Sequence, residues 1–349
     1  MIQTASPTRR AIGAAGLSVP ALGFGSAAIG NLYASMSDDQ AQACVEAALA
    51  AGIGYFDTAP HYGFGLSETR LGAALGAAEQ VVVSTKVGRR LEPVAADAAG
   101  GERHGFVDAA PFEPVFDYSY DGVMRSYEQS LARLGRARID ILFAHDLGIA
   151  THDADHDRHF AQFMEGGYRA MRALRDSGEV RAIGLGVNEW QVCEQAMGAG
   201  DFDVFLLAGR YTLLEQTALD SFLPACAAKG VSVIVGGPFN SGILIEGVGG
   251  ERTPHYNYAP APPEIVDRVR RLEIVCRDHR TPLAAAALQF PLGHASVASV
   301  IPGMASAAQV AEALRLLNYP IPEELWLDLR AQGLLHPAAP TPHSARALS

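Results

Sequence analysis

The chain has 349 residues, 49% of them hydrophobic and 19% charged, with a net charge of −11 and an isoelectric point of about 5.4. That is enough chain to bury a sizeable core as one large domain or two average ones, and the acidic balance disfavours nucleic acid or an anionic membrane surface as the main partner. Cys44, Cys193, Cys226 and Cys276 lie far apart with no C-x-x-C pair, so neither a disulfide framework nor a zinc site is expected, and a reducing cytoplasm is the default.

At the N-terminus, Thr8-Arg9-Arg10 before a Gly/Ala-rich stretch faintly suggests an export signal, but Ser18 and Pro20 interrupt it and no cleavage site follows. No run of about 18 strongly apolar residues could span a membrane. Residues 9–19 read as a hairpin turning at Gly13 and Gly16, and 20–25 as a short apolar strand. The small side chains of Gly25, Ser26, Ala27 and Ala28 then let a ligand approach the backbone. Ser37 caps a helix whose Ala41, Cys44, Val45, Ala48 and Leu49 recur at helical spacing until Gly52. A second strand, 54–57, ends in Asp57. It is followed by a Pro/Gly-rich turn carrying Tyr62 and a helix over 67–75 with Glu68 and Arg70 charging its first turn.

The third strand, 81–86, is apolar and β-branched, as burial on both faces requires, and ends in Lys86. Residues 88–117 lack periodicity and read as a long irregular loop. Asp121 opens a helix with Val123, Tyr127, Leu131 and Leu134 on one face, and strand four, 139–145, ends in His145 followed by Asp146. His152, His156 and His159, interleaved with Asp153, Asp155 and Asp157, match no standard metal spacing and read as a solvated loop. A helix over 160–177 leads to strand five, 180–187, and Asn188-Glu189-Trp190. Strand six, 204–207, precedes Tyr211 and a helix from 215 to Gly230. Strand seven, 231–235, precedes a glycine-rich turn and a second long loop, 246–261. Helices over 263–280 and 282–291 lead to strand eight, 297–301, a last barrel helix over 306–317, and a tail from 320 with a short helix and a Pro-rich frayed end.

Eight short apolar strands alternating with helices over about 310 residues predict an α/β fold with a parallel sheet closed as a (β/α)8 barrel. Residues 1–349 would form one domain with the 9–19 hairpin as a cap and 320–349 as a tail. An open doubly wound sheet is the competitor, but no G-x-G-x-x-G follows the first strand. In a barrel the C-terminal strand ends converge on one face, so Asp57, Lys86 and His145 would share a mouth with Tyr62. A free phenol, with pKa ~10, is too weak a base near neutrality. A buried ammonium beside it stabilises phenolate, Asp57 would keep Lys86 charged, and His145 could donate to or accept from a substrate oxygen. Singly, each could be ordinary: a capping Asp, a surface Lys, a satisfied strand-end His. At successive strand ends they form a proton donor and acceptor suited to a carbonyl or carbinol carbon.

The motifs Gly-Tyr-Phe-Asp57-Thr-Ala-Pro-His-Tyr62-Gly, Ser-Thr-Lys86 and Leu-Phe-Ala-His145-Asp resemble the aldo-keto reductase superfamily, over about residues 9–318. The resemblance implies a barrel closed by the hairpin, with long βα loops and a nicotinamide dinucleotide across its top. Tyr62 would be general acid/base, tuned by Lys86 and Asp57, with His145 orienting substrate. Tyr211 would stack on the nicotinamide. Asn188 stands where the family usually has a carboxamide-binding Ser, and Ala208 replaces the usual Gln. Pro238, Phe239, Asn240, Ser241 and Gly242 resemble the pyrophosphate loop, Ile301 and Gly303 the entry to the adenosine site, and Glu312 the acid near adenine, though Ala313 replaces the Asn expected after it. Gln309 replaces an Arg often found near a 2′-phosphate, and its neighbours Met304, Ala305, Ala307 and Ala308 are uncharged, which favours NAD over NADP.

The 22–33 segment, His145-Asp146 and Val187-Asn188-Glu189-Trp190 resemble the D-threo-aldose 1-dehydrogenase branch. That implies oxidation of a cyclic hemiacetal C1 hydroxyl of an L-fucose, D-arabinose or L-galactose type sugar to the lactone, with Asp146 and Trp190 as candidate substrate contacts. Pyridoxal, also a cyclic hemiacetal, is the nearest alternative, followed by a general aldehyde or ketone. Two other classes remain: a non-catalytic, cofactor-binding regulatory subunit, and a Schiff-base aldolase using Lys86. The second is disfavoured because a salt bridge to Asp57 would keep the amine protonated.

Overall fold

The computed structural model describes residues 8–78, 80–95, 100–250, 252–257 and 259–342. Eight parallel strands form one sheet in chain order: β1 (Phe24–Gly25), β2 (Tyr55–Asp57), β3 (Val82–Val87), β4 (Ile141–His145), β5 (Ala182–Val187), β6 (Val204–Ala208), β7 (Ser232–Gly236) and β8 (Val297–Ile301). The last strand returns to the first. Leu22 bridges Val300, Gly25 bridges Gly303, and the Gly23 N–H donates to the Val300 carbonyl at 2.9 Å. The sheet is therefore the expected barrel.

Strand periodicity sorts the side chains. Successive residues alternate between the interior and the helix layer. Val82, Ile141, Phe143, Val204, Leu206 and Ile234 fill the inside, joined by Ile12, Leu17 and Val19 of the antiparallel hairpin formed by Arg9–Ile12 and Leu17–Pro20. Arg10 of that hairpin donates to the carbonyls of Val297 (2.7 Å) and Leu292 (2.9 Å), so the twin arginines belong to a folded plug. Phe56, Val83, Leu142, Ala144, Ile183 and Leu185 pack outward against the helices. Among these, α1 (Asp38–Ala50) opens on a capping box between Ser37 and Gln40. α2 (Leu66–Leu75) and α3 (Tyr120–Leu134) follow, the latter capped by Ser119 rather than opening at Asp121.

Several segments differ from the sequence expectation. Residues 88–117 are not an irregular loop: Arg89–Pro93 pairs antiparallel with Phe112–Phe116, and Glu102–Arg103 with Phe106–Val107. Prolines at 93, 111 and 114 and mostly half-exposed strands conceal the period of two. Trp190–Ala199 is a helix that the sequence analysis left unassigned, burying Val192, Cys193, Ala196 and Met197. The predicted 215–230 helix covers only Phe222–Lys229. The 246–261 loop holds a small hairpin, His255–Tyr256 with Ala259–Pro260.

His152, His156 and His159 are not solvated. All three are buried on the helical turns Ile149–His152 and His156–Gln162. His152 and His159 have ring centroids 4.1 Å apart, and Nδ1 of His156 lies 3.2 Å from the Leu147 carbonyl. Among the described residues no group of three or more His, Cys, Asp or Glu side chains could hold a metal ion. The four cysteines are free and buried. No described helix is long and apolar enough to cross a membrane. The tail adds the helix Glu323–Ala331 and buries Leu334, Leu335 and Ala339; the end read as frayed lies, from 343 on, outside the described residues.

Candidate active site

The alternation that points Tyr55, Val82 and Ile141 into the barrel also points Asp57, Ser84, Lys86 and His145 there, at the C-terminal strand ends. The Lys86 ammonium donates to Asp57 Oδ2 at 2.7 Å, to the Thr58 carbonyl at 2.9 Å and to Tyr62 Oη at 3.1 Å. An ammonium has three N–H groups, and all three are used. Ser84 donates to the other Asp57 oxygen at 2.6 Å. Gly186 on β5 makes room for this lysine, since a Cβ there would come within 3.2 Å of Lys86 Cε. His145 is buried and meets the Tyr62 ring edge-on at 6.0 Å. The four predicted residues are thus brought together.

The electrostatics depart from the sequence expectation at Tyr62. Burial pushes its phenol up, Lys86 pulls it down and Asp57 pushes it up again, leaving it at about 12. Lys86 lowers the value as argued, but burial outweighs it. For Lys86 itself burial works downward, yet Asp57 and Tyr62 hold the ammonium above its ordinary range. His145 lies well below the imidazole range through burial and the nearby cations Arg89 and Lys86, and is therefore neutral near pH 7.

Sequence reasoning missed the groups around His145. Arg89, directly after β3, makes a close ion pair with Asp146, whose Oδ2 is 3.5 Å from His145 Nε2. Tyr118 donates to the His145 carbonyl at 2.6 Å. His61 meets His145 at 5.9 Å and is lowered to about 2 by burial and by Arg89. Phe106, from the small hairpin, covers Tyr62 with centroids 6.2 Å apart. The Gly-Arg-Arg run immediately after the third strand was the one available signal for Arg89. Glu68, read as a charge on a helix's first turn, is fully buried, accepting from Thr85 at 2.6 Å and from Arg133 at 2.6 Å.

The predicted cofactor residues divide. Ser241 and Gly242 line a cleft of about 690 Å³ with Tyr33, Ile243, Arg252 and His255. A Cβ at Gly242 or Gly303 would meet open space. Asn240, Ser241 and Gly242 carry φ values of 46°, 59° and 92°, a left-handed run that shapes the loop. The concavity and the bare backbone fit a large dinucleotide, and the cleft's exposed Arg252 pairs with Glu246 at 3.3 Å. Pro238 and Ile301 are buried, Phe239 packs against the core, and Gly25 approaches the carbonyls of Ile301 and Pro302. Asn188 is half-buried on the loop after β5.

Other assignments meet a structural partner instead. Tyr211 has no exposed face: it packs against Phe290 (5.4 Å) and His294 (5.9 Å), so its ring is not presented for stacking. Asn240 accepts from Thr212 (2.6 Å) and donates to the Gly209 carbonyl (3.0 Å), tying the loops after β6 and β7 together. Ser26 is buried with its hydroxyl on Ser67 at 2.8 Å. Gln309 accepts from the Ala305 N–H at 2.6 Å as part of a helix cap, and Glu312 is paired bidentately with Arg315, a cation the sequence argument overlooked. Trp190 donates to Thr217 at 3.2 Å and, among the described residues, bonds to none of the four.

A profile of the aldo/keto reductase family matches residues 21–331. The chain is 44% identical to a pyridoxal 4-dehydrogenase from Microbacterium luteolum, covering 94% of this chain and 98% of the relative. It is 40% identical to a D-threo-aldose 1-dehydrogenase from a Pseudomonas species, covering 97% and 100%. The holo form of an aldo-keto reductase from Bacillus halodurans superposes with a TM-score of 0.71 at 25% identity, covering 95% of this chain and 98% of that one. Sequence, barrel and strand-end site agree: the chain belongs to the aldo/keto reductase family and is an NAD(P)-dependent oxidoreductase.

Proposed function

We propose that this protein oxidises the C1 hydroxyl of a cyclic hemiacetal to a lactone, with an aldose of L-fucose, D-arabinose or L-galactose type as substrate. The observation that carries the proposal is the contact of Tyr62 Oη with Lys86 Nζ at 3.1 Å, beside His145 at the barrel mouth. In this reading Tyr62 takes the hydroxyl proton and Lys86 stabilises the phenolate. Asp57, on Lys86 at 2.7 Å, keeps that ammonium charged. Neutral His145 holds the reacting oxygen by a hydrogen bond. Bound nicotinamide would supply the hydride acceptor. Ser241, Gly242, Arg252 and Gly303 would hold the dinucleotide, and we favour NAD because Gln309 is uncharged and Arg315 is already neutralised by Glu312. Full use of the three Lys86 donors disfavours a Schiff-base amine. The whole chain would act as one domain, and its four unpaired cysteines suit the cytoplasm.

A second reading, pyridoxal as the hemiacetal, is favoured by the name of the 44% identical relative. Identification of the product separates them. Incubation with NAD⁺ and each substrate, followed by mass spectrometry, should yield the sugar lactone or its hydrolysed acid. Lactone from pyridoxal alone would select the second reading, and no lactone from any of them would refute both.

A further inference from the structure

The mouth contains a charge pair that the proton chemistry does not use. Arg89 and Asp146 are 13% and 17% exposed in their side chains. Desolvating two charges is costly unless their hydrogen bonds are completed, yet this pair is incomplete. A guanidinium has five donors. Arg89 spends one on Asp146, offers NH1 to His61 only at 3.4–3.5 Å, and leaves Nε buried with no partner among the described residues. Its plane is fixed by Phe116, whose ring centroid lies 4.6 Å from Cζ. Asp146 is held at a φ of 50°, a left-handed conformation uncommon for residues other than glycine. Tyr118 pins that backbone through the carbonyls of His145 and Asp146 at 2.6 and 3.2 Å. The result sets a carboxylate oxygen 3.5 Å from His145 Nε2, with unused guanidinium donors alongside.

Two neighbouring hydroxyls of a sugar ring are spaced about a hydrogen bond apart. With one on His145, whose Nε2 is 3.5 Å from Asp146 Oδ2, the next can reach the Asp146–Arg89 pair. We propose that Arg89 and Asp146 determine substrate specificity by binding the hydroxyl on the carbon next to the reacting carbinol, the carboxylate accepting its O–H and the guanidinium donating to its oxygen. This rests on the hemiacetal reading above and narrows it to hemiacetals carrying that vicinal hydroxyl.

The test compares D-arabinose with its 2-deoxy counterpart, deoxyribose, under saturating NAD⁺. Wild type should prefer D-arabinose in kcat/KM by at least about 30-fold, since a site built to bond a hydroxyl rejects the analogue lacking it. Arg89→Met and Asp146→Asn should bring the ratio towards one by losing more on D-arabinose than on deoxyribose. The ratio within each variant cancels general damage, and the wild-type ratio stands even if a variant fails to fold. Equal wild-type efficiency on the two sugars, or variants that keep the ratio, would overturn the specificity role alone. Wild type that reduces para-nitrobenzaldehyde but oxidises neither sugar, nor L-fucose, L-galactose or pyridoxal, would overturn the hemiacetal reading and this inference with it.

Discussion

Tyr62 is held neutral by its surroundings in the free site, at about 12 through burial partly offset by Lys86. In the proposed oxidation Tyr62 acts in its basic form. kcat/KM for oxidation should therefore rise with pH, approaching tenfold per unit over about pH 7–10, while the reverse reduction, which needs the protonated phenol, stays flat there. A pH profile in both directions checks this sign; equal slopes would contradict it. Tyr62→Phe should lower kcat by about 10²–10⁴-fold while leaving dinucleotide binding, read by fluorescence titration, nearly intact. Lys86→Met presents the other face of the same contact. It strands Asp57, 2% exposed, without its cation, and breaking a buried pair in this way costs about 3–5 kcal/mol. Denaturant melts should show that loss, and an unchanged midpoint would mean the pair is not buried as described.

At the scale of elements, the antiparallel extension after β3 roofs the site. It starts at Gly88, with φ 95°, where a Cβ would sit 2.4 Å from the Tyr118 ring. Gly88→Ala should cost about 1–3 kcal/mol by overpacking and, because Tyr118 supports His145, should raise KM as well. Unaltered stability and kinetics would remove this glycine from the account. The barrel strands were legible because each is a short apolar run, with Asp57, Lys86 and His145 at or next to the ends of β2, β3 and β4, and the alternation that hides Val82 also delivers Lys86. The roof was not legible, since its pairing is non-local, its strands half-exposed and its prolines break the pattern. For the same reason Arg89, Phe106 and Tyr118 escaped notice, as their roles exist only once the hairpins fold. The buried histidines at 152, 156 and 159 misled through composition: interleaved aspartates suggest solvent, whereas a helix turns the three rings inward. Tyr211 shows the converse, a motif-matched aromatic whose ring the fold encloses.

For the whole molecule, the internal histidines set the acid limit. Burial lowers His61 to about 2 and His152 to about 4, and His145 well below its ordinary value. Unfolding frees them to take up protons at the ordinary 6.5. Between pH 6.5 and 4 the unfolded chain therefore binds more protons than the folded one, so stability falls with decreasing pH. Tm should be nearly level above pH 7 and decline through that window; a flat profile down to pH 4 would contradict the burial of these rings. The barrel, its plug and the strand-end site converge on NAD(P)-dependent hydride chemistry, for which we propose a hemiacetal carbon as the reacting centre. The most direct test follows the absorbance of reduced nicotinamide, with NAD⁺ and NADP⁺ separately, against L-fucose, D-arabinose, L-galactose and pyridoxal, in wild type and Tyr62→Phe. The account predicts NAD⁺ reduction by at least one of the sugars, lost in Tyr62→Phe. NADP⁺-only activity would overturn the cofactor preference. No reduction with any of the four, or full activity in Tyr62→Phe, would contradict the central claim.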